Sequence, residues 1–433
     1  AATGLAIAVF PRLTFMAIFA VAAAAAVTRP RLGILPALFV PITGFQLGLF
    51  GDPRFGAAVV ACVFALGYWA FGAGRPRLPL YGLLAVGTLG LSAIALGIAN
   101  GIELGAAAAW PVLWLGGIVL GACLAAVPSR ITILGFGLLP PALLIFWELT
   151  GRGNFWAQRL GTTEFADLGQ LENATRAFST FGHPLIAGAV FAVVGALLLA
   201  EGSRRSLPLA VVMFGASMGT VSRSALLAVA IVVFVVAIQS AKNPLRAGTR
   251  LILPLVGALV LISVIPGLKD SVTTRVSGGV GPQVVRGYAL DSIRSDAEVR
   301  PGQLLVGGGL GAARDKISAV GGRVGSLETF DNQYVTSVYD YGVLPLLIAS
   351  GLVVVGLRKS RSLMLGLPAV LATLIAVFFF DGFYTLPVGF FGALAFGVAL
   401  APRAGPAATK PDRPDRTSRD RRHPTEPLPS PTA

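Results

Sequence analysis

Charge is scarce in this chain of 433 residues: Asp, Glu, Lys and Arg supply 12% of it, against 55% for the hydrophobic types. That balance excludes an ordinary soluble enzyme. Histidine and cysteine are rarer still, at two residues each. Cys62 and Cys123 both fall inside apolar runs, where a thiol behaves as a small buried side chain. Neither a disulfide framework nor a Cys/His metal site is therefore expected. HExxH and Asp-x-Asp patterns are missing, so zinc-protease and metal–nucleotide chemistry have no foothold. The glycine run at Gly307–Gly311 lacks a following Lys-Ser/Thr and reads as a flexible turn. No metal and no cofactor are expected.

What the chain does have is apolar runs of membrane-crossing length, and they are continuous, unlike the alternating segments of a β-barrel. The expected fold is all-α, a polytopic membrane protein of 12–13 spans at 6–27, 33–50, 55–73, 78–99, 106–127, 130–149, 184–200, 207–220, 224–239, 250–266, 333–357, 363–380 and 383–400. The eighth is short and Gly-rich, as in a tilted or broken helix. Turns rich in Arg and Lys, such as those around Arg75, Arg204, Arg205, Arg358 and Arg361, should face the cytoplasm. The formal charge of +14 comes largely from these turns and the tail, so it does not call for nucleic acid. Residues 1–400 form the membrane domain, with one large extracytoplasmic loop at 267–332. Residues 401–433 are Pro-rich, charged and without apolar periodicity, which predicts a disordered cytoplasmic tail. The chain starts at Ala1 without an initiator methionine, which we read as a missing or processed amino terminus.

The polar loop and its flanks are where a hydrophilic substrate can meet the protein. Arg223 stands at the outer end of a span, among Gly219, Ser222 and Ser224, small residues that allow close approach. A guanidinium at that depth either snorkels or meets an anion. Arg286 in the large loop and Arg176 in an earlier outer loop form surface ion pairs or join Arg223 on a phosphate. Asp331 immediately precedes a span and is either a helix N-cap or a general base. Asp340 lies about 13 Å further along a helix and points into the bundle. His183, one of two histidines, is a second outer-face candidate. Arg176, His183, Arg294 and Asp340 complete the set as substrate-binding candidates.

In order, RAFSTFGHPLIAG, SRSALLAVAI, VVRGYALDSI…RPGQLLVGGGLG and DNQYVTSVYDYGVLPLL resemble motifs of the O-antigen ligase and polymerase superfamily, over roughly residues 150–400. That resemblance implies a bacterial plasma (inner) membrane glycosyltransferase, similar in fold to the class C membrane enzymes. It would take a polyprenyl diphosphate-linked glycan as donor and a glycan or lipid as acceptor, amid membrane lipids. Arg223 and Arg286 would hold the donor diphosphate. Asp331 would stand where the family has a histidine acting on the acceptor hydroxyl, a departure that bears on the base. A flippase for the same lipids and a non-catalytic family member are the rival readings.

Overall fold

The computed structural model describes residues 32–43, 53–72, 75–152, 177–241, 291–321, 332–380 and 382–402, with a few isolated positions between them. The described residues are almost wholly helical, and the only extended pairing among them is an isolated bridge between Ser360 and Pro402. In chain order the helices are α1 (Ile34–Thr43), α2 (Pro53–Gly67), α3 (Leu80–Ala99), α4 (Leu104–Ala126), α5 (Ile131–Trp147), α6 (Pro184–Glu201), α7 (Ser206–Gly219) and α8 (Arg223–Gln239). Then follow α9 (291–299), α10 (Pro301–Val306), α11 (Ala312–Gly321), α12 (Gln333–Tyr341), α13 (Val343–Lys359), α14 (Leu363–Val377) and α15 (Leu386–Leu400). Five stretches are long and apolar enough to cross a membrane: Arg54–Gly72, Leu80–Ala99, Leu104–Ala126, Pro128–Thr150 and Pro184–Glu201. The α12–α13 pair makes a sixth if counted as one span, and α7, α8, α14 and α15 are shorter apolar helices. This is a membrane-embedded helical bundle.

α4 and α6 are its centre, each 83% buried along its apolar window, whereas α3 at 28% is peripheral. Without a hydrophobic drive between helices in lipid, close packing of small residues has to hold them together. Gly117 and Gly121 supply it on α4. A Cβ on Gly117 would lie 2.8 Å from Ala393 Cβ, and one on Gly121 2.8 Å from Val398 N of α15. Leu91, Phe234, Leu347 and Met364 remain more than 60% exposed, as lipid-facing side chains would be.

Helix direction alternates along the bundle, so the helix ends fall into two sets. Seven of the eight acidic side chains described lie at one end, and Glu201 alone lies at the other. That other end carries Arg75, Arg77, Arg130, Arg204, Arg205, Arg358, Lys359 and Arg361. Arg130 is built into it: Nη1 donates to Tyr68 Oη at 2.7 Å and to Gly72 O at 2.8 Å, on the π-helical turn Tyr68–Gly72 that continues α2. At the end of α6, Gly202 takes a left-handed conformation (φ 69°) and its N–H returns to Leu198 O, an arrangement that favours glycine.

One expected span is not a single helix. The run 333–357 breaks at Gly342, and α12 and α13 meet at 115°. Gly342 adopts φ 82°, ψ 159°, a region open essentially to glycine alone. Its flanks are apolar enough to read as continuous helix, which hides the break from hydropathy.

Candidate functional site

The acid-rich end of the bundle is built from two groups of residues. The first surrounds the starts of α6 and α8. Glu148 Oε2 accepts from the backbone N–H groups of Phe178 (2.8 Å) and Ser179 (3.1 Å). Ser179 itself sits at φ 53° with its hydroxyl donating to Pro141 O at 2.7 Å, and Thr180 donates to Ile42 O at 2.8 Å. The segment before α6 is therefore fixed to α1 and α5. It delivers His183 as the N-cap of α6, with Nδ1 accepting from Leu185 N at 3.2 Å. An accepting Nδ1 carries no proton, so the neutral ring has its proton on Nε2.

Five residues into α6, Gly188 O accepts from Ser217 Oγ at 2.8 Å, and a Cβ there would meet Thr220 Oγ1 and Ala225 Cβ. This contact sets the start of α8 beside the start of α6. The link from α7 to α8 holds Val221 at φ 50°, a strained conformation for a β-branched residue. Ser222 and Ser224 beneath it are buried and share a 2.8 Å hydrogen bond. Arg223 is the first residue of α8 and is exposed. A cation there opposes the helix dipole, whose N-terminus is already positive. An anion at that spot would be favoured by both charges.

The second group is a small cap over the same end, formed by α9 to α12 around Leu304, Ala313, Ile317, Val335 and Tyr339. Asp296 joins its helices, accepting from Lys316 Nζ (2.7 Å) and Tyr339 Oη (2.8 Å). Burial opposes the Asp296 charge, but those two hydrogen bonds and the charges of Lys316 and Arg300 outweigh it and hold the carboxyl below the usual carboxylate range. Arg294 is exposed on α9. Asp340 is 2% exposed, with Oδ1 accepting from Ala313 N (3.1 Å) at the start of α11 and Oδ2 accepting from Tyr384 Oη (2.7 Å).

The glycine run is not the flexible turn expected from its composition. Gly308 N donates to Tyr339 O at 2.8 Å and Gly309 N to Asp340 O at 3.0 Å, while Asn100 Nδ2 donates to Gly308 O. The run thus clamps the break between α12 and α13 and ties it to the end of α3. The N-cap of α12 is Asn332, whose Oδ1 accepts from Tyr334 N (3.0 Å) and Val335 N (3.4 Å). The capping role considered for Asp331 therefore belongs to its neighbour. Gln333, 2% exposed, accepts from Phe383 N at 2.8 Å.

Of the candidates from sequence, His183 and Arg223 stand at neighbouring helix starts, whereas Arg294 and Asp340 belong to the cap. α14 links the two groups, packing on α6 and α8 and receiving the Tyr334 hydroxyl at Leu374 O. Arg176, Arg286 and Asp331 lie outside the described residues. Asn332, Gln333 and Tyr384 escaped the sequence reading; the polar Asn-Gln pair directly before an apolar run was the available signal. An apolar groove of about 400 Å³ runs from Gln333, Ser337 and Tyr341 between α3, α13, α14 and α15. Among the described residues no three His, Cys, Asp or Glu side chains cluster as metal ligands would. No protein-family model, curated protein or solved structure matches this chain.

Proposed function

We propose that the protein is a membrane glycosyltransferase of the O-antigen ligase and polymerase type, moving a glycan from a polyprenyl diphosphate to an acceptor hydroxyl. The acid-rich end faces outward and the basic end the cytoplasm, following the positive-inside rule. The observation that carries the reading is Arg223: an exposed guanidinium at a helix start, on a strained link, at the end away from the other basic turns. The groove adds support, because a lipid-linked donor needs an apolar bed leading to a polar head region.

In this reading the acceptor oxygen attacks C1 of the donor sugar as the C1–phosphate oxygen bond breaks, inverting the centre. Arg223 and Arg286 stabilise the charge growing on the departing diphosphate. Asp331, released from capping by Asn332, takes the acceptor proton. The energy resides in the lipid diphosphate linkage, so neither nucleotide nor metal is required.

Among the described residues the broken α12–α13 pair is the one feature that favours a transporter, since discontinuous helices form many transport sites. In such sites the freed carbonyls face the cargo. Here Tyr339 O and Asp340 O are taken by Gly308 and Gly309, and the Asp340 carboxylate by Ala313 and Tyr384. Transfer is the better-supported reading.

Arg223→Ala and Arg223→Lys test it in a transfer assay with purified protein. A charge-assisted hydrogen bond is worth roughly 1.5–3 kcal/mol, so alanine should lower turnover about tenfold to a hundredfold. Lysine keeps the charge without the planar fork and should fall in between. Normal turnover by the alanine variant at matched protein levels would place the diphosphate site elsewhere.

A further inference from the structure

The basic end of the bundle encloses a cavity that the transfer reading does not use. It measures about 860 Å³ and lies among the ends of α4, α6, α8 and α14 and residues 401–402. Arg77 and Arg361 stand at its rim, both exposed and neither in a hydrogen bond or ion pair among the described residues. Inside, the Gln239 side-chain nitrogen is buried and makes no hydrogen bond among the described residues. That nitrogen carries two donors, and leaving them unmet away from water is costly. Among the described residues the cavity therefore offers donors and positive charge that no acceptor of its own meets. Glu201 also lines it, but its Oε2 accepts from Ser203 N at 3.0 Å, and two guanidinium groups against one carboxylate leave the site positive.

We propose that this cavity binds the phosphodiester headgroup of an anionic phospholipid from the adjoining leaflet. Arg77 and Arg361 take the phosphate oxygens and the Gln239 amide donates to the headgroup. Three observations favour a lipid over other anions. The walls below the rim are apolar, from Ala122, Ala125 and Leu365, and suit the start of an acyl chain. Among the described residues no aromatic ring lines the cavity, so a nucleotide base finds nothing there to stack on. The tail that follows Pro402 carries more Lys and Arg than Asp and Glu, and the two rim arginines would repel it. The site is separate from the acid-rich end, so it stands or falls independently of glycan transfer.

Native mass spectrometry of the full-length protein, titrated with palmitoyl-oleoyl phosphatidylglycerol or the matching phosphatidylcholine, tests this. One phosphatidylglycerol should be retained where phosphatidylcholine is stripped. Arg77→Ala with Arg361→Ala should weaken that binding at least tenfold, and Ala125→Phe should block it without changing charge. Glu201→Gln should tighten it. Arg204→Ala with Arg205→Ala, basic residues outside the cavity, should leave it unchanged. Equal retention of the two lipids, or an equal loss with the Arg204 and Arg205 pair, would overturn the site. So would retention by the Arg77 and Arg361 variant, which is exposed at both positions and so keeps the fold. Inorganic phosphate should not compete; if it displaces the lipid at millimolar concentration, the cavity is a free-anion site and the lipid assignment fails.

Discussion

Replacing Gly307 by alanine should undock the cap, and the size of the effect follows from geometry. Gly307 holds φ 89°, ψ 167°, where an L side chain costs about 1–3 kcal/mol. The added Cβ would lie 2.5 Å from Tyr341 C, 2.6 Å from Gly342 N and 2.7 Å from Asp340 O. These are backbone atoms, so no rotamer change relieves the clash and the two segments must separate. Separation breaks the Gly308–Tyr339 and Gly309–Asp340 hydrogen bonds, each worth about 0.5–1.5 kcal/mol. The total is about 2–6 kcal/mol of local opening free energy. Hydrogen exchange by mass spectrometry should show residues 303–316 exchanging at least about thirtyfold faster, with α4 and α6 unchanged. Gly302→Ala is the control, because a Cβ there meets nothing within 4 Å and the position is helical. Wild-type protection in Gly307→Ala, or an equal loss in Gly302→Ala, would refute the clamp.

Asp331→Asn should keep expression and donor binding but lose about a hundredfold or more in turnover, the usual share of a general base. Asn332→Ala should do the reverse, lowering thermal stability by about 1 kcal/mol for the lost cap while sparing the chemistry. Asp296 gives the cap a pH dependence. Its folded pKa lies below the unfolded value of about 3.9, so its contribution is complete above that value and lost as pH falls through the folded pKa. Exchange protection of α11 and α12, corrected for intrinsic rates, should be flat from about pH 8 to pH 5 and fall in more acid solution. Asp296→Asn should shrink that acid step; an unchanged step would remove Asp296 as its source.

The helices were the legible part of the fold, because a lipid-facing bundle writes hydropathy directly into the chain. The ends of α3, α4, α6 and α8 fall within a few residues of the runs that predicted them. The bend at Gly342 was not legible, since a glycine between valine and tyrosine leaves the apolar run intact while the backbone turns. The glycine clamp was misread for a related reason. Positive φ suits both loose turns and close backbone approach, and only the partner strand of chain, Tyr339 to Gly342, distinguishes them. At the site, Arg223 stood out because a charge beside an apolar run is conspicuous. Asn332 did not, because Asp331 beside it is an equally good cap by residue type. The Asp296–Lys316–Tyr339 link joins residues far apart in sequence, and no local pattern announces it.

The central claim is glycan transfer driven by a lipid diphosphate. Its most direct test is incubation of the purified protein, in lipid and with EDTA but no nucleotide, with a polyprenyl diphosphate-linked glycan and an acceptor glycan or lipid. The account predicts glycan on the acceptor and free polyprenyl diphosphate released one for one, with longer chains marking a polymerase and single additions a ligase. An intact donor, whether left in place or merely moved to the opposite leaflet of a vesicle, would contradict it.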